Sequence, residues 1–170
     1  MTRNLAAAIA LAAAALVFAA VALTARDPRV PCPLIGSRSG ISLEVDPAYG
    51  PRIGTARLTT CWNSACTTTS LKLSPSSTSV PMPCTPGGPD NACARMEPTS
   101  GKYSFAELAN LPTSPVEVTV DLIDPTGVTL SSPRLVITPT LQSSGGPECG
   151  SPTPQGGLLV AANGALSEDL

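Results

Sequence analysis

The sharpest alternation of apolar and polar positions runs through residues 116–122, where Val116, Val118, Val120 and Leu122 interleave with Glu117, Thr119 and Asp121. A period of two sends successive side chains to opposite faces, so this segment predicts a half-buried β-strand. Ile41, Leu43 and Val45 repeat the pattern around Ser42 and Glu44, and Asp46-Pro47 stops it. Residues 57–63 and 65–73 read as two strands turning at Asn63-Ser64. With Trp62 facing Ala65 across that hairpin, Cys61 faces Cys66. Leu58, Thr60, Trp62, Ala65, Thr67, Thr69, Leu71 and Leu73 then share the apolar face, and both cysteines point to the wetter one.

Further strands are expected at 102–107, 128–130 and 134–138, with Asp124-Pro-Thr-Gly127 as a turn by its chemistry. A helix of a turn or two over 105–110 is the competing reading there. Residues 74–99, rich in Ser, Pro and Gly, are expected to be a loop. The chain turns Gly/Ser/Pro-rich again after Pro139 until Gly157, and 158–161 adds an edge strand before a loose tail. Some seven short strands with regular turn signals predict an all-β fold, a small antiparallel Ig-like sandwich.

The first 25 residues follow a different pattern. Arg3 is followed by Leu5 to Ala25 without a charge, rich in Ala, Leu and Val. A secretory apolar region spans about 7–15 residues, whereas roughly 20 cross a membrane. The length fits a retained N-terminal anchor helix, while the small residues ending at Ala22 and Ala25 fit a cleaved signal peptide. Both readings remain open, and in both the positive N-terminus stays inside and the rest is exported. The organisation expected is therefore 1–25 signal peptide or signal-anchor, 26–39 tether, 40–140 β-sandwich, and 141–170 C-terminal segment.

Composition sharpens this picture at two points. All 19 prolines lie beyond the leader, too densely spread for long helices, and the aromatic residues are few. A core this poor in large side chains calls for covalent bracing. Six cysteines, Cys32, Cys61, Cys66, Cys84, Cys93 and Cys149, all beyond the leader, supply it. An even number in an exported chain reads as three disulfides. Zinc would want CxxC pairs or histidine partners, and the chain has no histidine. The hairpin register pairs Cys61 with Cys66. Cys84 and Cys93 flank a loop with no other source of order and pair next, leaving Cys32 with Cys149. Loop closure contributes about 2–3 kcal/mol for each short bridge and nearly 5 for the long one as upper values.

The segment Gly101-Lys-Tyr103-Ser-Phe105-Ala-Glu-Leu108, with Leu111-Pro112 and Val116-x-Val118-x-Val120, resembles the pattern of prealbumin-like sandwiches. These include Cna-B repeats of surface proteins and carboxypeptidase regulatory-like domains. The resemblance covers about 20 residues and implies a small surface-exposed sandwich. Some Cna-B repeats form Lys–Asn/Asp isopeptide bonds assisted by a Glu, and Glu107 falls near that position. The first strand has no Lys and the last no Asn or Asp, so Glu107 reads as a solvated carboxylate. The chain as a whole resembles exported proteins of high-GC Gram-positive bacteria.

The absence of histidine excludes Ser-His-Asp, Cys-His and His-metal chemistry together. Lys72 and Lys102 read as surface lysines rather than members of a Ser–Lys dyad, Thr99 standing where such a motif needs Ser. Asp121 and Asp124 flank a turn, where Asp is ordinary, although a carboxylate pair is what a small secreted hydrolase would use. Gly87-Gly-Pro-Asp90-Asn91 reads as a polar loop rather than a calcium site. Without Arg3 the exported part has nine Lys and Arg against twelve Asp and Glu, and no basic run, which speaks against nucleic acid. No catalytic residue, cofactor or metal site is expected. The function expected is a non-catalytic extracytoplasmic binding or structural module of the cell envelope, which binds a protein, glycan or envelope component or acts as a spacer. The alternative is an accessory subunit of a membrane or envelope complex, held to the membrane by the N-terminal helix if that is uncleaved.

Overall fold

Two β-sheets face each other, and the strands over 40–45, 55–62 and 116–123 bury the apolar side of the alternation seen in the sequence. The computed structural model describes residues 32, 36–83, 93–145 and 149–169. The leader over 1–25 lies outside them, as do Cys84 and the Asp90-Asn91 loop. The chain divides into two units, Met1–Pro33 and Leu34–Leu170, and the second contains every described strand.

The strands, in chain order, are β1 (Gly40–Val45), β2 (Thr55–Trp62), β3 (Ala65–Leu71), β4 (Ser74–Pro81), β5 (Ala94–Glu107) and β6 (Val116–Ile123). Then come β7 (Thr129–Ser131), β8 (Arg134–Ile137), β9 (Thr140–Gln142), β10 (Thr153–Val160) and β11 (Leu166–Glu168). The first sheet runs β4-β5-β1-β10, and the outer side of β10 is shared by β9 and β11. The second runs β3-β2-β6, and the outer side of β6 is shared by β7 and β8. Among the described residues all the ladders are antiparallel but one: β1 lies parallel to β10, with Gly40 opposite Gln155 and Val45 opposite Val160. Two strands joined by a short turn must run antiparallel, whereas β1 and β10 are separated by most of the domain and are free of that constraint.

The core lies between the sheets. Ile41, Leu43, Val45, Ala106, Leu158 and Val160 come from the first sheet, and Ala56, Leu58, Leu71, Ile137 and the β6 valines from the second. Val116, Val118, Val120 and Leu122 are fully buried, as their alternation predicts. Among the described residues Tyr49 is the only aromatic side chain in this buried cluster, with Trp62 packed half-buried against it. Each buried aliphatic side chain contributes about 1.5–3 kcal/mol relative to exposure, so this small-residue core leaves little margin over chain entropy.

The β2–β3 hairpin explains its own bridge. Asn63 and Ser64 both adopt positive φ, 50° and 62°, the signature of a two-residue type I′ turn whose twist matches the flanking strands. The turn closes on Trp62 opposite Ala65, and alternation then makes Cys61–Cys66 the close-spaced kind of pair. Their Cα atoms stand 4.1 Å apart and the two sulfurs are bonded. Cys32, Cys93 and Cys149 are each disulfide-bonded as well, and among the described residues no cysteine is free.

The structure corrects three expectations. Residues 74–81 and 94–99 are strand rather than loop: β4 and the first half of β5 pair from Ser77 opposite Pro98 to Pro81 opposite Ala94. This ribbon is exposed on most positions of both faces, so it needs no apolar alternation. The sandwich does not end at residue 140, since β10 and β11 complete the first sheet. Nor is β10 an edge strand. It begins at Thr153 and lies against β1 from Gln155 to Val160, while its other side is paired by β9 over Thr153–Gln155 and by β11 over Leu158–Val160. Gly156 has a packing reason, because a Cβ there would meet Ile137 Cδ1 at 2.8 Å. Residues 105–110 form no helix; β5 continues to Glu107 and a turn follows.

Candidate functional site

The outward face of the first sheet carries the surface best suited to a ligand. Register places its outward residues in rows. Gln155, Gly40 and Glu107 form one, Gly157, Ser42 and Phe105 the next, and Leu159, Glu44, Tyr103 and Ser74 the third. Two clefts open beside these rows. One, about 370 Å³, lies over β10 and is lined by Ser42, Thr140, Gln155, Glu168 and Asp169 among others. The second, about 290 Å³, lies where β1 ends, between Glu44, Asp46 and Leu159 and the Ser76–Thr78 stretch of β4. Tyr103, 40 % exposed, stands opposite Glu44, a residue of the second cleft.

The segment entering β1 is clamped at the margin of the first cleft. The Arg38 guanidinium lies 5.6 Å from the centroid of the Phe105 ring and pairs with Glu107. Gln155 Nε2 donates to Arg38 O at 2.8 Å, and Leu108 N donates to Ser39 O at 3.1 Å. Phe105 also lies against Gly40, filling the space a side chain would take there. Phe105 is therefore a packed fastening rather than a free platform, and Tyr103 is the more exposed ring on this face.

The outward face of the second sheet is more self-contained. Thr59 and Thr68 share a hydrogen bond at 2.9 Å. Arg57 faces Asp121 at 3.7 Å and Arg134 faces Glu117 at 3.5 Å. Such exposed pairs contribute about 0–1 kcal/mol each, but they leave opposite charges already matched.

Residues weighed from the sequence for chemistry are dispersed. Asp121 accepts from Ser132 Oγ at 2.7 Å and faces Arg57. Asp124 accepts from Thr126 Oγ1 and from the amides of Thr126 and Val128, at 2.7–2.9 Å. The Thr126 hydroxyl, then the Val128 amide, hold its carboxyl below the ordinary value of 3.8 against a smaller opposing effect of burial. Asp124 is thus a turn-former. Glu107 is taken by Arg38. Lys72 is exposed beyond β3 and Lys102 is half-buried on β5. Of the residues in the resemblance to prealbumin-like sandwiches, Leu108, Leu111, Val116, Val118 and Val120 are buried. Among the described residues no group of three or more His, Cys, Asp or Glu is arranged to hold a metal, and no helix is long and apolar enough to cross a membrane.

Sequence reasoning missed the clefts because each gathers residues from distant parts of the chain, the first from β1, the β8–β9 turn, β10 and Glu168-Asp169, the second from the end of β1, β4, β5 and β10. Ser42 was assignable to an outward face by alternation. Gln155, Glu168 and Asp169 lay in a stretch read as loop and tail, and no local pattern marks them. Comparisons with protein families, with curated proteins and with solved structures return no match.

Proposed function

We propose that this chain is an exported, non-catalytic binding module of the cell envelope, presenting the outward face of its first sheet to a partner. The observation that carries the reading is the pair of clefts on one hydrogen-bonded sheet face, set beside Tyr103. The bonded cysteines support an extracytoplasmic location, because disulfides persist in oxidising compartments. The leader pattern over 1–25 supports the same placement. Binding residues on a braced scaffold lose little freedom when a ligand docks, which suits a domain whose core alone is thin.

The test is capture from isolated envelopes by the oxidised protein, comparing wild type with Tyr103→Ala and with Thr68→Ala on the opposite sheet. Retention of envelope material lost in Tyr103→Ala and kept in Thr68→Ala is the expected result. Equal retention by all three refutes the assignment of the face. A second reading, an accessory subunit of a membrane or envelope complex, is favoured by the β4–β5 ribbon, where Met96 is 63 % exposed. Under that reading Met96→Ser rather than Tyr103→Ala abolishes capture.

A further inference from the structure

The two partial partners of β10 leave a notch between them. β9 pairs with Thr153–Gln155 and β11 with Leu158–Val160, so Gly156 and Gly157 belong to neither ladder on that side. The 370 Å³ cleft opens here, within the roughly 300–1,000 Å³ typical of small-molecule sites. We propose that this notch is a saccharide subsite selective for neutral and amino sugars over acidic ones. The proposal rests on the binding-module reading above and names its ligand.

The chemistry of the lining argues the class. Thr138, Thr140 and Ser42 bring hydroxyls, Gln142 and Gln155 carboxamides, and Glu168 and Asp169 carboxylates, with no Lys, Arg or aromatic ring among the lining residues. Several of the donors are already engaged. Gln155 Nε2 is given to Arg38 O, Gln142 Nε2 to Thr140 Oγ1 at 3.0 Å, and Ser42 Oγ to Gly156 O at 3.3 Å. What remains is rich in acceptors. The Gln155 carbonyl is one, and Glu168, which takes only the Thr138 amide at 3.3 Å, has lone pairs to spare.

Such a surface needs a ligand that brings donors. An apolar ligand would strip water from these groups and return no hydrogen bonds. An anionic ligand would meet two carboxylates with no cation in the lining. Sugar hydroxyls, amide N–H groups and ammonium groups all fit. The walls are fixed before binding: the main chain at Asp169 donates to Gly157 O at 3.0 Å, and β9 is held by its own ladder. Gly157 permits that crossing, since a Cβ there would overlap the Asp169 carbonyl.

Amide chemical shifts of the oxidised protein, titrated separately with N,N′-diacetylchitobiose, glucosamine and glucuronic acid, test the proposal. The first two are expected to move Ser42, Gln155, Gly156 and Gly157, and glucuronic acid to leave them in place. Gln155→Ala is expected to weaken binding about tenfold, the effect of one lost hydrogen bond in a desolvated site. Asp169→Asn should reduce any preference for glucosamine over the neutral sugar and Asp169→Asn with Glu168→Gln should abolish it, while Thr68→Ala changes nothing. Immobile cleft amides with all three sugars overturn the subsite, as does glucuronic acid binding as tightly as chitobiose. If those amides stay still while envelope capture still depends on Tyr103, the sugar subsite falls and the binding module stands. If the sugars titrate the cleft and envelope capture fails, the subsite stands and the envelope assignment falls.

Discussion

Replacing both cysteines of the hairpin, Cys61→Ser with Cys66→Ser, isolates what this bridge contributes. The bond closes a loop of sequence separation 5. Loop-closure entropy for a ring that small amounts to about 2 kcal/mol at 25 °C, as an upper value. No cavity adds to it, because the pair points away from the core, with Cys66 exposed and Cys61 half-buried. The type I′ turn at Asn63-Ser64 and the β2–β6 ladder persist without the bond. The unfolded hairpin is already biased by its turn, so the measured loss is expected near 1–2 kcal/mol. Val118→Ala is the comparison: it empties space at a fully buried position of β6, at a cost of about 2–3 kcal/mol. Urea unfolding followed by far-ultraviolet circular dichroism ranks the two, with Trp62 fluorescence as a second probe beside the bridge. The double serine variant should unfold at a higher urea concentration than Val118→Ala. The reverse order would refute the account, because the bridge would then be holding more than its own hairpin.

Three further outcomes are expected. The Asp124 carboxyl, held low by Thr126 and Val128, should titrate below 3.8 by carbon-detected NMR. Its lowered folded value stabilises the turn above the ordinary carboxyl range and loses that contribution as pH falls through the folded value, and Asp124→Asn should remove this acid dependence. Gly156→Ala should lower stability by about 1–3 kcal/mol in thermal melts, since its Cβ meets Ile137 Cδ1 at 2.8 Å and the side chain must shift. Peptide mapping of the unreduced protein should link Cys84 with Cys93 and Cys32 with Cys149, and any other linkage overturns the pairing read from the sequence.

Legibility followed burial. β1, β2 and β6 were readable because each hides one face, which forces apolar residues to every second position. The Cys61–Cys66 register was readable because a two-residue turn leaves only one alignment. The β4–β5 ribbon was not readable: exposed on both faces, it selects for Ser, Thr and Pro as a loop does. β10 was half readable. Leu158 and Val160 show the alternation, but Gly156 faces Ile137 and Gly157 is crossed by the chain end, so glycines stand where a pattern would otherwise continue. The cleft over β10 was invisible for the same reason, being built where pattern gives way to close main-chain approach.

The parallel ladder between β1 and β10 sets a timetable for assembly. β2, β3 and β6 can zip together early, since β2 and β3 are neighbours in sequence and the β2–β6 ladder involves no later segment. β1 cannot gain its second partner until the residues opposite it, Gln155 to Val160, have been delivered. That interval lasts as long as the intervening chain takes to emerge. Throughout it Ile41, Leu43 and Val45 await much of their cover, on a strand with one edge unpaired. A chain broken off before Thr153 stays at that stage permanently, a half-built sheet with an adhesive edge, so nonsense or proteolytic loss of the last short stretch should yield aggregate rather than a smaller working domain.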